Sequence, residues 1–491
     1  MEAKMKKLVL LFLSVCVYTL QIDCNKSDQE IKEMPITTIS EESLKLIKEG
    51  RELVEESNPK FVEYFEKAVK LDSTCALAFY HLAFGQSSAE KFFFYLNKAN
   101  ELVENASEGE KYFIHAAFAE YGKRDYSEAE KYLEKLTYLY PDDKRAWNDL
   151  GTYYFRRENY QLAIENYQKS IRLDSNFADP YNTLGYCYSN LGKYDDAEKS
   201  LKKYAELLPH AANPHDSYAE ILMKQGKFDE SIKEYQTALS IDPNFYASFI
   251  GLGTNYVFKG NYEKGREQLR KLIDAPNDNF YRNTAFEYIA YSYVFEEKYD
   301  DAINELHKAY NLFEINKNYW DMSQEISMIG DILLESGRPD EARKKYVSSV
   351  ELIRNSIAAT EERKTWARLA FIGEEVLIAL KKNQIAIAKN KAEAYREQAE
   401  KIQNPREIKN YHYLSSLIAL SEKRYDNAVN ELLQANQRNP RILFKIAEAY
   451  EGLGNKKKAK EFFTRTANFN EISTNYAFVR NKAFEKLEEY K

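Results

Sequence analysis

The sequence is short of the residues that break or staple a chain: 491 residues hold 11 prolines, 17 glycines and 4 cysteines. So few cysteines say nothing in favour of a disulfide framework. Cys75 and Cys187 are each read as a small buried hydrophobe. Scarce proline and glycine, together with 39 tyrosines and abundant Ala, Leu, Glu and Lys, favour helices throughout. Neither charge dominates. The 70 basic and 77 acidic side chains are spread along the chain for a net charge of −7, with no basic patch or tail, so nucleic acid is not an expected partner. With 44% of residues hydrophobic, disorder is not expected either. Also missing are a phosphate-cradling glycine loop, a nucleophile elbow and a His-Glu-x-x-His pair. No enzyme and no cofactor is expected.

One stretch stands apart. "MEAKMKK" precedes "LVLLFLSVCVYTL", a basic start followed by a short apolar run, which predicts an export signal. A permanent membrane span needs about 20 apolar residues, more than this run supplies. Cys24 follows at the start of a polar tether, where a bacterial lipoprotein carries its lipid. Leu20 to Asp23 resembles that cleavage motif loosely, since Gln21 and Asp23 replace the preferred Leu and small residue. Lipidation of Cys24, ordinary cleavage and an uncleaved anchor all stay open. The expected location is the cell envelope, or the cytoplasm if the N-terminus is not a signal.

The body of the chain repeats. Trp147-Leu150-Gly151-Tyr154 recurs 34 residues later as Tyr181-Leu184-Gly185-Tyr188, then as His215-Tyr218-Ala219-Leu222 and Phe249-Leu252-Gly253-Tyr256. Ala163, Ala197, Ser231 and Gly265 keep the same step, and Pro209 and Pro243 close two of the units. Spacings of 3 and 4 put the bulky residue, Leu and Tyr on one helix face. The small residue lets paired helices approach closely. The turns "RREN", "NLGK", "KQGK" and "FKGN" supply Gly or Asn where the first helix stops.

These residues resemble the tetratricopeptide pattern of bacterial repeat proteins. The resemblance implies an all-α, right-handed superhelical solenoid of about twelve helix-turn-helix repeats. We expect an export segment at 1–23, a tether at 24–40, divergent repeats at 41–142, regular repeats at 143–279 and longer divergent ones at 280–403. C-terminal repeats at 404–470 and a closing helix at 471–491 complete the chain. The family implies protein binding without catalysis.

In such proteins fixed positions of each first helix face the concave groove. Carried over, they give Arg145, Asn148, Thr152, Phe155 and Arg156, then Asp179, Asn182, Tyr186, Ser189 and Asn190, then Asn213, Asp216, Glu220, Met223 and Lys224. Asn148, Asn182 and Asp216 form a row, and amides that both donate and accept suit the backbone of an extended peptide. The alternative is a polar, wetted face. Asn148 stands where the carboxylate clamp of chaperone-binding members has Lys, which disfavours that partner class. The next two units place Val257, Phe258, Val294 and Phe295 inward; an apolar docking patch and simple burial are both compatible with that. His210 and His215, at i and i+5 across a loop, lack the spacing of a metal pair. The chain is therefore expected to act as an envelope scaffold that holds a protein segment, or as an accessory of an uptake or signalling system.

Overall fold

The computed structural model describes residues 33–490 apart from 87, 274–278, 316, 357–358 and 403. Cys24 and residues 1–23, expected as an export segment, lie outside the described residues. Among the described residues there are twenty-five α-helices and no strand, an all-α helical-repeat solenoid in which successive helices pair as antiparallel hairpins. The chain divides into two units, residues up to Pro209 and residues from His210 onward. The division falls inside the stretch expected to hold regular repeats, 143–279.

The first unit contains α1 (Glu41–Glu55), α2 (Phe61–Leu71), α3 (Ala76–Phe84), α4 (Ala89–Leu102) and α5 (Glu108–Ala117). It continues with α6 (Tyr126–Leu139), α7 (Lys144–Arg156), α8 (Tyr160–Leu173), α9 (Asp179–Asn190) and α10 (Tyr194–Leu207). The second unit runs through α11 (Ala212–Lys224), α12 (Phe228–Ile241), α13 (Tyr246–Phe258), α14 (Tyr262–Arg270), α15 (Asn279–Phe295) and α16 (Tyr299–Ile315). Then come α17 (Tyr319–Glu335), α18 (Pro339–Asn355), α19 (Glu361–Lys381), α20 (Ile385–Ile402), α21 (Pro405–Ser421) and α22 (Tyr425–Gln434). A last hairpin of α23 (Pro440–Gly452) and α24 (Lys456–Ala467) precedes a single helix, α25 (Thr474–Glu488).

Local chemistry explains the boundaries. Pro180, Pro339, Pro405 and Pro440 sit in first turns, where a missing N–H costs no hydrogen bond. Ser107 and Glu110 form a reciprocal capping box at the start of α5. In the turn "RREN" the left-handed residue is Glu158, at φ 57°, while Asn159 caps α8 by accepting from the Leu162 amide. Asn159 is thus a helix start, not the stop that the turn pattern predicts. A short polar side chain saves one of the orphan N–H groups there, and that gain outweighs its tolerance of positive φ.

The small-residue position behaves as its chemistry requires. A Cβ on Gly185 would lie 2.5 Å from Leu201 Cγ, so only glycine lets α9 and α10 close to this distance. Cys75 and Cys187 are free thiols buried in the first unit. Burial pushes their ionisation up, to about 11 and about 12.

Candidate functional site

The inner face of the first unit is polar and crowded. Arg51 and Glu55 of α1 come up against Arg145, Asn148 and Asp149 of α7 and Asp179 of α9, around a cavity of about 100 Å³. An adjoining pocket of about 270 Å³ shares His81 of α3 and adds Thr152 and Arg156 of α7.

Both arginines assigned to this groove are already engaged. The Arg145 guanidinium donates from Nε to Glu55 Oε1 at 2.6 Å and lies 3.2 Å from Glu33 Oε2. Arg156 grips Glu120 twice, Nε to Oε1 at 2.9 Å and Nη2 to Oε2 at 2.6 Å. Glu120 belongs to a π-helical turn, Phe118–Lys123, that ends α5 and turns this carboxylate toward α7.

The asparagines differ from the arginines. Asn148 is buried and donates from Nδ2 to Asp179 Oδ2 at 2.7 Å, which orients the amide and leaves its buried Oδ1 without a partner. Asn182 Oδ1 on α9 is likewise buried and unpartnered, as is His81 Nε2. His81 stacks on Phe65 at 4.4 Å, and burial together with Arg51 and Arg145 keeps it neutral. A buried acceptor with no donor costs about 1–3 kcal/mol, so the two amide oxygens are primed for incoming N–H groups. Thr152 accepts from Tyr167 OH at 3.0 Å and donates to the Asn148 carbonyl at 3.0 Å. Asn190 donates to the Tyr186 carbonyl at 2.9 Å, and Tyr186 and Asn213 have partners as well.

Asp149 is the unusual acid of this face. Burial, reinforced by Asp143 and Asp179, pushes its carboxyl up to about 8 against the pull of Arg51. An acid raised in the folded state is neutral there while the unfolded chain already ionises, so stability drains between the ordinary aspartate range and about pH 8. Asp149→Asn is therefore expected to raise the thermal midpoint at pH 8–9 and to leave it nearly unchanged near pH 4, as read by calorimetry at both pH values.

In the second unit, Asp216 accepts from Ser248 Oγ at 2.6 Å, and burial pushes it up to about 7. Glu220 pairs with Lys224 at 3.1 Å. The apolar patch predicted at Val257, Phe258, Val294 and Phe295 is not open. These residues are 0%, 3%, 2% and 3% exposed. The closing helix turns back across this inner face and covers them, with the Tyr476 ring 5.5 Å from Phe258 and 6.0 Å from Phe295. Arg480 Nη2 donates to the Phe258 carbonyl at 2.8 Å and Asn481 Nδ2 to the Phe295 carbonyl at 2.9 Å. Those carbonyls end α13 and α15, where no intrahelical donor exists and the helix dipole favours a cation. Further along, Lys482 donates to Glu335 at 2.8 Å. A pocket of about 560 Å³ also lies open in this unit, with Leu377, Leu417 and Leu420 against Arg441, Lys445 and Glu448. These residues were not singled out from the sequence, although Leu417, Leu420 and Glu448 fall at the inward offsets of their repeats.

Comparison with known proteins agrees with the repeat reading. A family model described as "TPR repeat" matches residues 151–192 and 219–260, and one described as "Tetratricopeptide repeat" matches 178–209 and 440–466. No curated protein matches the sequence. Among solved structures, a tetratricopeptide repeat protein from Parabacteroides merdae is 14% identical, covering 54% of this chain and 99% of that one, with a TM-score of 0.40. PilW, described as a type IV pilus biogenesis factor, is 18% identical over 45% of this chain and 97% of its own, with a TM-score of 0.36. A MamA fragment from Desulfovibrio magneticus is 18% identical over 34% of this chain and 95% of its own, with a TM-score of 0.31.

Proposed function

We propose that this chain, a protein carrying tetratricopeptide repeats, is a non-catalytic scaffold of the cell envelope that holds an extended protein segment on the inner face of its first unit. One observation carries the reading. Asn148 Oδ1 and Asn182 Oδ1, on successive inner helices, are buried acceptors with no donor of their own. A peptide backbone laid along α7 and α9 brings a row of N–H donors, and it satisfies both atoms without any demand on its side chains. The envelope location is supported by the basic-then-apolar start of the sequence.

The test is partner capture from an envelope extract by the intact chain. Each lost hydrogen bond is worth about 0.5–1.5 kcal/mol, so Asn148→Ala/Asn182→Ala should weaken retention about tenfold with helicity unchanged. Asn182→Ala alone, which leaves the Asn148–Asp179 bond intact, should give part of that loss. Undiminished capture by the double variant rejects the proposal.

A further inference from the structure

We infer that the pocket between α15, α16 and α17 is a binding site for an organic cation, an N–H-rich head on an apolar stem. The pocket has a volume of about 570 Å³, the size of an ordinary small-ligand site. Asn283 and Glu287 of α15 face Asp321 and Glu325 of α17 there, and Leu312 and Phe313 of α16 supply an apolar wall. Its described lining contains three carboxylates and no Lys, Arg or His.

Two atoms in it lack partners. Glu325 is only 2% exposed, yet its Oε2 has no hydrogen bond, and neither has the Oδ1 of Asn283, which is 9% exposed. Asn283 uses its amide donor on Glu287 Oε1, so its carbonyl cannot be exchanged for a donor without breaking that bond. Buried acceptors on both sides, beside an apolar wall, call for a ligand that brings several N–H groups and a positive charge.

Electrostatics agree with the geometry. Burial pushes both Glu287 and Glu325 up, and the charge of Glu287 adds to the rise of Glu325, so the pair holds a proton. The other titratable groups facing it are Asp321 of α17 and Tyr288 and Tyr291 of α15, with Thr474 of α25 hydrogen-bonded to Tyr291. From α16 only apolar side chains face it. A bound cation takes the place of the shared proton, so binding releases a proton and tightens as the pH rises. A bare metal ion fits poorly: among the described residues no three His, Cys, Asp or Glu are placed to hold one.

The same chemistry is offered by a basic side chain of another protein and by a free amine or guanidine. Calorimetric titration of the intact chain separates them, with n-butylguanidinium as the free cation and the peptide acetyl-Ala-Ala-Arg-Ala-Ala-amide as the side chain. Neutral n-pentanol and calcium chloride serve as controls. We expect butylguanidinium to bind at one site, to release a proton and to tighten by at most about tenfold per pH unit between pH 6 and 8. Tighter binding of the peptide assigns the site to a protein side chain, and tighter binding of butylguanidinium assigns it to a free cation. Glu325→Gln should weaken binding at least about tenfold while the melting temperature holds or rises, because an amide next to Glu287 removes the crowding of two acids. A residue serving structure alone would lower that temperature when replaced. Equal binding of pentanol, preferred binding of calcium or undiminished binding by Glu325→Gln overturns the inference. The site belongs to the second unit and does not depend on the role proposed for the first.

Discussion

Replacing Tyr476 by alanine is expected to cost the second unit about 3–5 kcal/mol, the range for removing a fully buried aromatic side chain. Tyr476 is 0% exposed, and its ring meets Phe258, Phe295 and Phe469. Its hydroxyl donates to the Ala467 carbonyl at 2.6 Å and accepts from Arg480 Nε at 3.1 Å. The truncation therefore opens a cavity at the point where α25 crosses α13 and α15, and it also frees Arg480 from one of its two anchors. Urea unfolding followed by far-UV circular dichroism measures the loss. Tyr476→Phe, which keeps the ring and drops the hydrogen bond, should lose only about 1 kcal/mol. If the alanine variant loses less than that, α25 is not the element that closes this face.

The second large effect belongs to the first unit. Arg156→Ala should cost about 2–4 kcal/mol, toward the lower end for breaking a buried ion pair because Arg156 is partly exposed. The reason is what remains behind. Glu120 is 8% exposed and loses both of the hydrogen bonds that Arg156 donates. Glu120→Gln/Arg156→Met replaces the pair by a neutral amide and an apolar stem of similar length. It is expected to return to within about 1 kcal/mol of the original stability, since an uncharged pair carries no desolvation penalty. Thermal unfolding of Glu120→Gln, Arg156→Met and the double variant completes the cycle. Additive losses would show that the two side chains do not support one another.

Both effects lie at positions that a repeat pattern misreads in the same way. Arg156 is nine places after Trp147, an inward offset, and inward was read as available. The structure makes inward mean paired, because α5 ends in a π-helical turn that aims Glu120 at it. Phe258 and Phe295 were likewise open to reading as a docking patch, but an element some two hundred residues later in sequence covers them. No local periodicity records that return. The signal that was present is composition: α25 carries Tyr476, Phe478 and Val479 with Arg480, more apolar surface than a solvent-facing closing helix needs.

The acid pair was half legible. Glu287 stands one place after Phe286, at the inward offset that also yields Asn148 and Asn182, whereas Glu325 lies off every such offset. Only the packing of α17 on α16 brings Glu325 to the same pocket.

By itself the sequence determined the all-α class, the hairpin unit and the close-approach glycines. Each follows from contacts three, four or about thirty-four residues apart, which spacing and side-chain size decide. Only the tertiary structure decided which inner side chains are free. That depends on partners far along the chain: Glu55 for Arg145, Glu120 for Arg156, α25 for the apolar stretch. A repeat specifies its neighbours' shape, but a charge or an apolar ring is satisfied by whatever complementary group the whole stack carries to it.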